Sequence, residues 1–155
     1  MKKAAPKLAV IGPQSAHSLR LLSALSPHYR VELWNPNERA VVAFRRERPE
    51  LVLVLAKGHE MGRKGTLSHG LKTEQRPPLV AIIGTSGLPE NPQSFMKTSL
   101  LDGMLGFPAE DALLIEWVQR TLAGEFPIAG TPYQKGRIRG AIRRLSGFRA
   151  SSKDG

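Results

Sequence analysis

Residues 48–57 read Arg48-Pro49-Glu50-Leu51-Val52-Leu53-Val54-Leu55-Ala56-Lys57, and the fold follows from them. Leu51–Ala56 is apolar throughout. A strand with one wet face alternates apolar and polar side chains. An unbroken run of this length is expected of a central strand in a parallel sheet covered on both faces. Leu8–Ile11, ended by Gly12-Pro13, and Leu79–Ile83, preceded by Pro77-Pro78, read the same way. Val31–Trp34 and Gly103–Leu105 are shorter candidate strands.

Amphipathic segments separate these runs. Ser15–Leu25 places Leu21, Leu22 and Leu25 at helical spacing before Pro27. Asn37 is a candidate N-cap for a helix over Glu38–Glu47. Lys57 to Gly65 reads as a loop, followed by a short helix Thr66–Glu74 capped by Thr66. A weak helix is expected over Gln93–Leu100. Ala109–Leu122 is the clearest helix, with Glu110 and Asp111 in its first turn, where acids suit the dipole, and an apolar stripe of Leu113, Leu114, Trp117, Val118 and Leu122. Five alternating strand–helix units predict an α/β fold, a three-layer doubly wound parallel sheet with helices on both faces. The expected division is one domain over 1–124 and a linker with a basic C-terminal tail over 125–155, Gly124–Tyr133 being the linker.

The order and spacing of these units resemble the receiver domain of bacterial response regulators, which is CheY-like and flavodoxin-like with strand order 2-1-3-4-5. Arg48-Pro49-Glu50-Leu51-Val52-Leu53-Val54 is similar to that family's entry into its third strand. Leu101-Asp102-Gly103-Met104-Leu105-Gly106-Phe107-Pro108 is similar to its alanine-Asp-Gly-Tyr-Leu-x-Lys-Pro stretch. The resemblance covers roughly residues 6 to 124. It implies a five-stranded receiver-like sheet, a role in signal transduction by a two-component system, and a protein partner or homodimer contact on the face of the fourth helix, fifth strand and fifth helix. On this chain that face maps to Phe95–Leu101, Met104–Pro108 and the outer side of Ala109–Leu122. Met104, Phe107 and Trp117 are the expected contact residues, with Phe107 as an aromatic anchor.

The family's chemistry does not carry over. Paired acids after the first strand would hold magnesium, which neutralises phosphoryl oxygens. Here those positions read Gly12 and Pro13. The aspartate nucleophile is expected at the end of the third strand, where the chain reads Leu55-Ala56-Lys57. The lysine before proline is Phe107. A hydroxyl survives only as Thr85 or Ser86. The expectation is an atypical pseudo-receiver, not an enzyme, that needs no cofactor and binds a protein. Gly12-Pro13 reads as a tight strand-to-helix turn. The third reading is an enzyme or small-ligand binder at the strand ends, around Gly12, Lys57 and Thr85, and the nearby helix start would offer backbone N–H groups to an anion.

Composition narrows the rest. There is no cysteine, which removes disulfides, zinc fingers and thiol catalysis. His17, His28, His59 and His69 lack metal-ligand spacing. No run of about 18 apolar residues predicts a transmembrane helix, and the N-terminal apolar stretch is too short for a secretory signal, so a cytoplasmic location is expected. The net charge is +10. Lys135, Arg137, Arg139, Arg143, Arg144, Arg149 and Lys153 stand against Asp154 alone in the tail. Such a segment suits nucleic acid through phosphate contacts, a protein groove or a membrane surface, or simply solubilises the chain. A nucleic-acid-binding protein that uses this tail is the second reading of function.

Overall fold

The computed structural model describes residues 5–36 and 39–132. Asn37, proposed as a cap, and the basic tail, Lys135 to Arg149, lie outside the described residues.

The chain runs β1 (Lys7–Ile11), α1 (Ala16–Leu25), β2 (Arg30–Trp34), α2 (Ala40–Glu47), β3 (Leu51–Ala56), a 3-10 turn (Gly58–Glu60), α3 (Met61–Lys72), β4 (Leu79–Gly84), α4 (Pro92–Thr98), β5 (Gly103–Gly106), α5 (Asp111–Leu122) and β6 (Ile128–Gly130). The strands form one sheet in the order β2-β1-β3-β4-β5-β6, every pair parallel. The first five strands keep the expected 2-1-3-4-5 order. The sixth comes from the stretch read as a linker.

β3 shows why its residues are apolar throughout. Leu51, Leu53 and Leu55 pack with α1 and α5, while Val52, Val54 and Ala56 pack with α2 and α3. All six are buried. Burying a side chain of the size of Val or Leu stabilises by about 1.5–3 kcal/mol. α1 and α5 cover one face through Leu21, Leu25, Leu114, Trp117 and Val118. α2, α3 and α4 cover the other through Phe44, Leu71 and Met96.

Several boundaries differ from the sequence expectation: α4 ends at Thr98, short of Leu100, α5 begins at Asp111 with Glu110 as its cap, and the shifts at α2 and α3 are larger. The segment 57–65, read as a loop, forms the 3-10 turn and the first turn of α3, so the helix begins at Met61 and Thr66 is not its cap. The Glu60 carboxylate accepts the Lys57 backbone N–H at 3.0 Å, which anchors the entry. Thr66 instead donates its hydroxyl to Arg63 O from within the helix (2.6 Å). α2 starts at Ala40 behind Arg39, later than expected.

β6 exists because two glycines let backbones meet. Gly130 has φ +92, and a Cβ there would lie 2.3 Å from Gly106 O. A Cβ on Gly106 would lie 2.0 Å from Thr131 O. The residue leading into the strand also satisfies a buried donor: Pro127 O accepts both the Trp117 indole N–H (3.1 Å) and the Met104 N–H (3.0 Å). A buried indole N–H left unpaired would cost about 1–3 kcal/mol.

Candidate functional site at the strand ends

In an open parallel sheet, ligands bind beyond the carboxyl ends of the strands, where the winding reverses. Here that point lies between β1 and β3. The register there is tight: Ile11 is opposite Val54, so Gly12 follows beside Leu55, and Leu55 is opposite Ile83. Ile83 in turn faces Leu105. The strand-end row therefore reads Gly12, Leu55, Ile83, Leu105, without a charge in it.

Leu55 leans over Gly12. A Cβ built on Gly12 would sit 2.7 Å from Leu55 Cδ1, closer than real atoms approach. Any larger residue at position 12 must displace that leucine. Leu55 is 5% exposed and shares one packed cluster with Ile83, Leu105 and Phe107. Phe107 is 1% exposed. The His17 ring covers it at 5.9 Å between centroids, and the Arg20 guanidinium carbon lies 5.6 Å from its centroid. Arg20 is held by the Ala109 carbonyl (2.6 Å) and the Asp111 carboxylate (3.5 Å). Phe107 joins Pro108 through a cis peptide bond.

The other sequence candidates fall around this plug. Pro13 and Lys57 are exposed, and Ala56 is buried on the opposite face of β3. Thr85 lies two residues past the Leu55 register position, and its hydroxyl turns back onto Ala56 O at 3.4 Å. Ile83, which the sequence reading passed over, holds the position across from Leu55. Only pairing register reveals this. Gly12 and Pro13 also line a cleft of about 420 Å³ with Gln14, Leu33, Asn35 and Pro36. At the adjoining start of α1, Ser15 Oγ already accepts the Ser18 N–H.

Met104, Phe107 and Trp117 were expected on a partner surface. They are 0%, 1% and 1% exposed. The reason is enclosure from both sides: α5 and β6 close over Trp117, Met104 faces the α4 side of the sheet, and Phe107 sits beneath His17 and Arg20. None of the three offers an accessible contact.

A receiver's magnesium demands oxygen ligands, chiefly carboxylates. Positions 12, 13 and 55 supply glycine, proline and leucine. Among the described residues no three histidine or carboxylate side chains converge as a metal-binding group. The residues at the strand ends do not fit the ion.

A large apolar opening lies elsewhere, at the opposite end of β5. A groove of about 600 Å³ is lined by Lys72, Gln93, Met96, Lys97, Leu100, Leu101, Asp102 and Phe126. Leu100 and Phe126 are 48% and 57% exposed. Asp102 at its floor accepts from Lys72 Nζ (2.5 Å) and from the Val80 N–H (2.8 Å).

No family model matches the sequence, and no curated protein does. Solved structures do match. A response regulator from Thermotoga maritima aligns with a TM-score of 0.61 at 19% identity, over 77% of this chain and 98% of that one. A CheY-like protein, TadZ, from Pseudomonas aeruginosa aligns at 0.62 and 15% identity, over 74% and 98%. A signal receiver domain from Bermanella marisrubri aligns at 0.59 and 16% identity, over 76% and 98%. In fold, this chain is similar to the CheY-like receiver domains of response regulators.

Proposed function

We propose that the chain is a receiver-like domain that works without phosphorylation, as a protein-interaction module in bacterial two-component signalling. Leu55 carries this reading. It occupies the end of the third strand and packs over Gly12, where acyl-phosphate chemistry would need a carboxylate nucleophile beside a carboxylate-held cation. A leucine and an isoleucine in register provide neither. The fold similarity to receiver domains supports the signalling context.

With Met104, Phe107 and Trp117 enclosed, the groove around Leu100 and Phe126 is the better partner surface. An exposed apolar patch rimmed by polar groups marks a protein-binding site. Two arms test the proposal. The chain is incubated with Mg²⁺ and acetyl phosphate, and its intact mass is measured. No adduct is expected, and a hydroxylamine-labile phosphoryl adduct would overturn phosphorylation independence. In the second arm, capture of a protein partner from the native host is compared for the wild type and for Leu100→Ser with Phe126→Ser. Loss of a reproducible partner is expected. Undiminished capture removes the groove from the account.

A further inference from the structure

The folded part of the chain is electrically lopsided. Residues 39–76, which hold α2 and α3, carry nine lysines and arginines against four acids. Residues 77–125, which hold α4 and α5, carry two against six. This surplus is separate from the basic tail.

Geometry concentrates the surplus. α2 and α3 pack side by side on one sheet face, tied by Arg45, whose guanidinium holds the Glu74 carboxylate at 2.8 and 2.9 Å. Both follow parallel strands and run the same way. Arg39, Lys57 and Lys64 therefore mark one end of the pair, and Arg48 and Arg76 the other. All but Lys64, which is half-buried, are exposed. Among the described residues, Arg39, Lys57, Lys64 and Arg76 pair with no carboxylate. Arg48 is held in place by stacking on Phe44, its guanidinium carbon 4.6 Å from the ring centroid. Arg48 and Arg76 line one polar cleft of about 280 Å³, which Glu50 also borders.

We propose that the α2–α3 face binds the phosphate backbone of double-stranded nucleic acid. Cations at both ends of a face of this length match a regular line of negative charge, which is met at two points. α3 has 12 residues, about 18 Å at 1.5 Å per residue. A duplex presents one charge per 1.7 Å of axis, so about ten phosphates lie along that length. An acidic protein fits less well. A protein interface needs an apolar centre, and Val42 is the one exposed large hydrophobic residue that α2 and α3 offer among the described residues. The arginines among these cations also bind phosphate oxygens bidentately. Recognition by such contacts is independent of sequence.

The test uses the full chain with Arg137→Gln, Arg139→Gln, Arg143→Gln and Arg144→Gln as background, so that the tail does not mask the face. Binding of a labelled 20-base-pair duplex of arbitrary sequence is followed by anisotropy between 50 and 200 mM salt. Arg39→Gln, Lys57→Gln, Lys64→Gln and Arg76→Gln are then added; none of these side chains has a carboxylate partner to lose. Affinity should fall at least tenfold at 100 mM salt, and the slope of log K on log salt should drop by about 3–4, near 0.9 per contact. Arg30→Gln with Arg120→Gln, placed off this face, should change little. The proposal is overturned if the background chain does not bind, or if the face variant binds as the background does. Equal competition by poly-glutamate or by phosphatidylserine vesicles also overturns it.

Discussion

Phe107→Ala separates a core role from a surface role for this residue. The ring is 1% exposed, packed with Leu55, Ile83 and Leu105, and covered by His17 and Arg20. Truncating a fully buried phenylalanine to alanine costs about 3–5 kcal/mol, the transfer of the ring plus the cavity it leaves. Losing the Arg20 contact adds about 0.5 kcal/mol, because that guanidinium is half in solvent. Against a total stability of about 5–15 kcal/mol, this is a large fraction. For a domain of this size each kcal/mol lowers the melting temperature by about 2–4 °C, so a fall of about 7–22 °C is expected. Urea unfolding followed by circular dichroism gives the free energy directly, with Phe126→Ala as the exposed comparison. Phe126→Ala should cost under about 1 kcal/mol, because its ring is 57% exposed. A loss below 1 kcal/mol for Phe107→Ala, with an unchanged denaturant slope, would refute the enclosure of this ring and return it to the surface.

Three further outcomes follow from the packing. Asp102→Ala removes the acceptor shared by Lys72 and the Val80 N–H, and urea unfolding should show a loss of about 2–3 kcal/mol; a change under 0.5 kcal/mol would show that water replaces it freely. Gly62→Ala should raise stability by about 0.4–1 kcal/mol, since the position lies in the first turn of α3 and nothing lies within 4 Å of the added methyl; a lower melting temperature would contradict the open space seen there. Glu47 is lowered to about 2 by its hydrogen bond from Lys7, with a second from Arg46. Its contribution is therefore complete above about pH 4.5 and is lost as pH falls toward 2. The gap in urea midpoint between the wild type and Lys7→Met, which also loses the Glu32 contact at 3.3 Å, should be constant between about pH 5 and 9 and close below that range, and a gap indifferent to acid would rule these carboxylate pairs out as its source.

The local chemistry of the chain was legible in its sequence. Six unbroken apolar residues at Leu51–Ala56 imply burial on both faces, and alternation with amphipathic segments implies a parallel sheet. The absence of carboxylates at positions 12, 13 and 55 is likewise a fact of sequence. Burial of both strand faces is a property of composition, so composition reports it. The helix start at Met61 was missed because Gly62 and Gly65 look like loop residues, while the Glu60 carboxylate and the packing of Met61 and Leu71 against the sheet outweigh about 1 kcal/mol per glycine.

What only the tertiary structure decided is where chains meet. Pairing register put Ile83 across from Leu55. Register depends on how two strands slide past each other, which neither strand encodes alone. Phe107 and Trp117 look like surface anchors until α1 and β6 are brought over them. β6 itself, hidden in a Gly- and Pro-containing stretch, forms because Gly106 and Gly130 allow two backbones to approach and because Pro127 O satisfies a buried indole. Such enclosure is a sum of contacts between residues far apart in the chain, and it exists only once the sheet has closed around them.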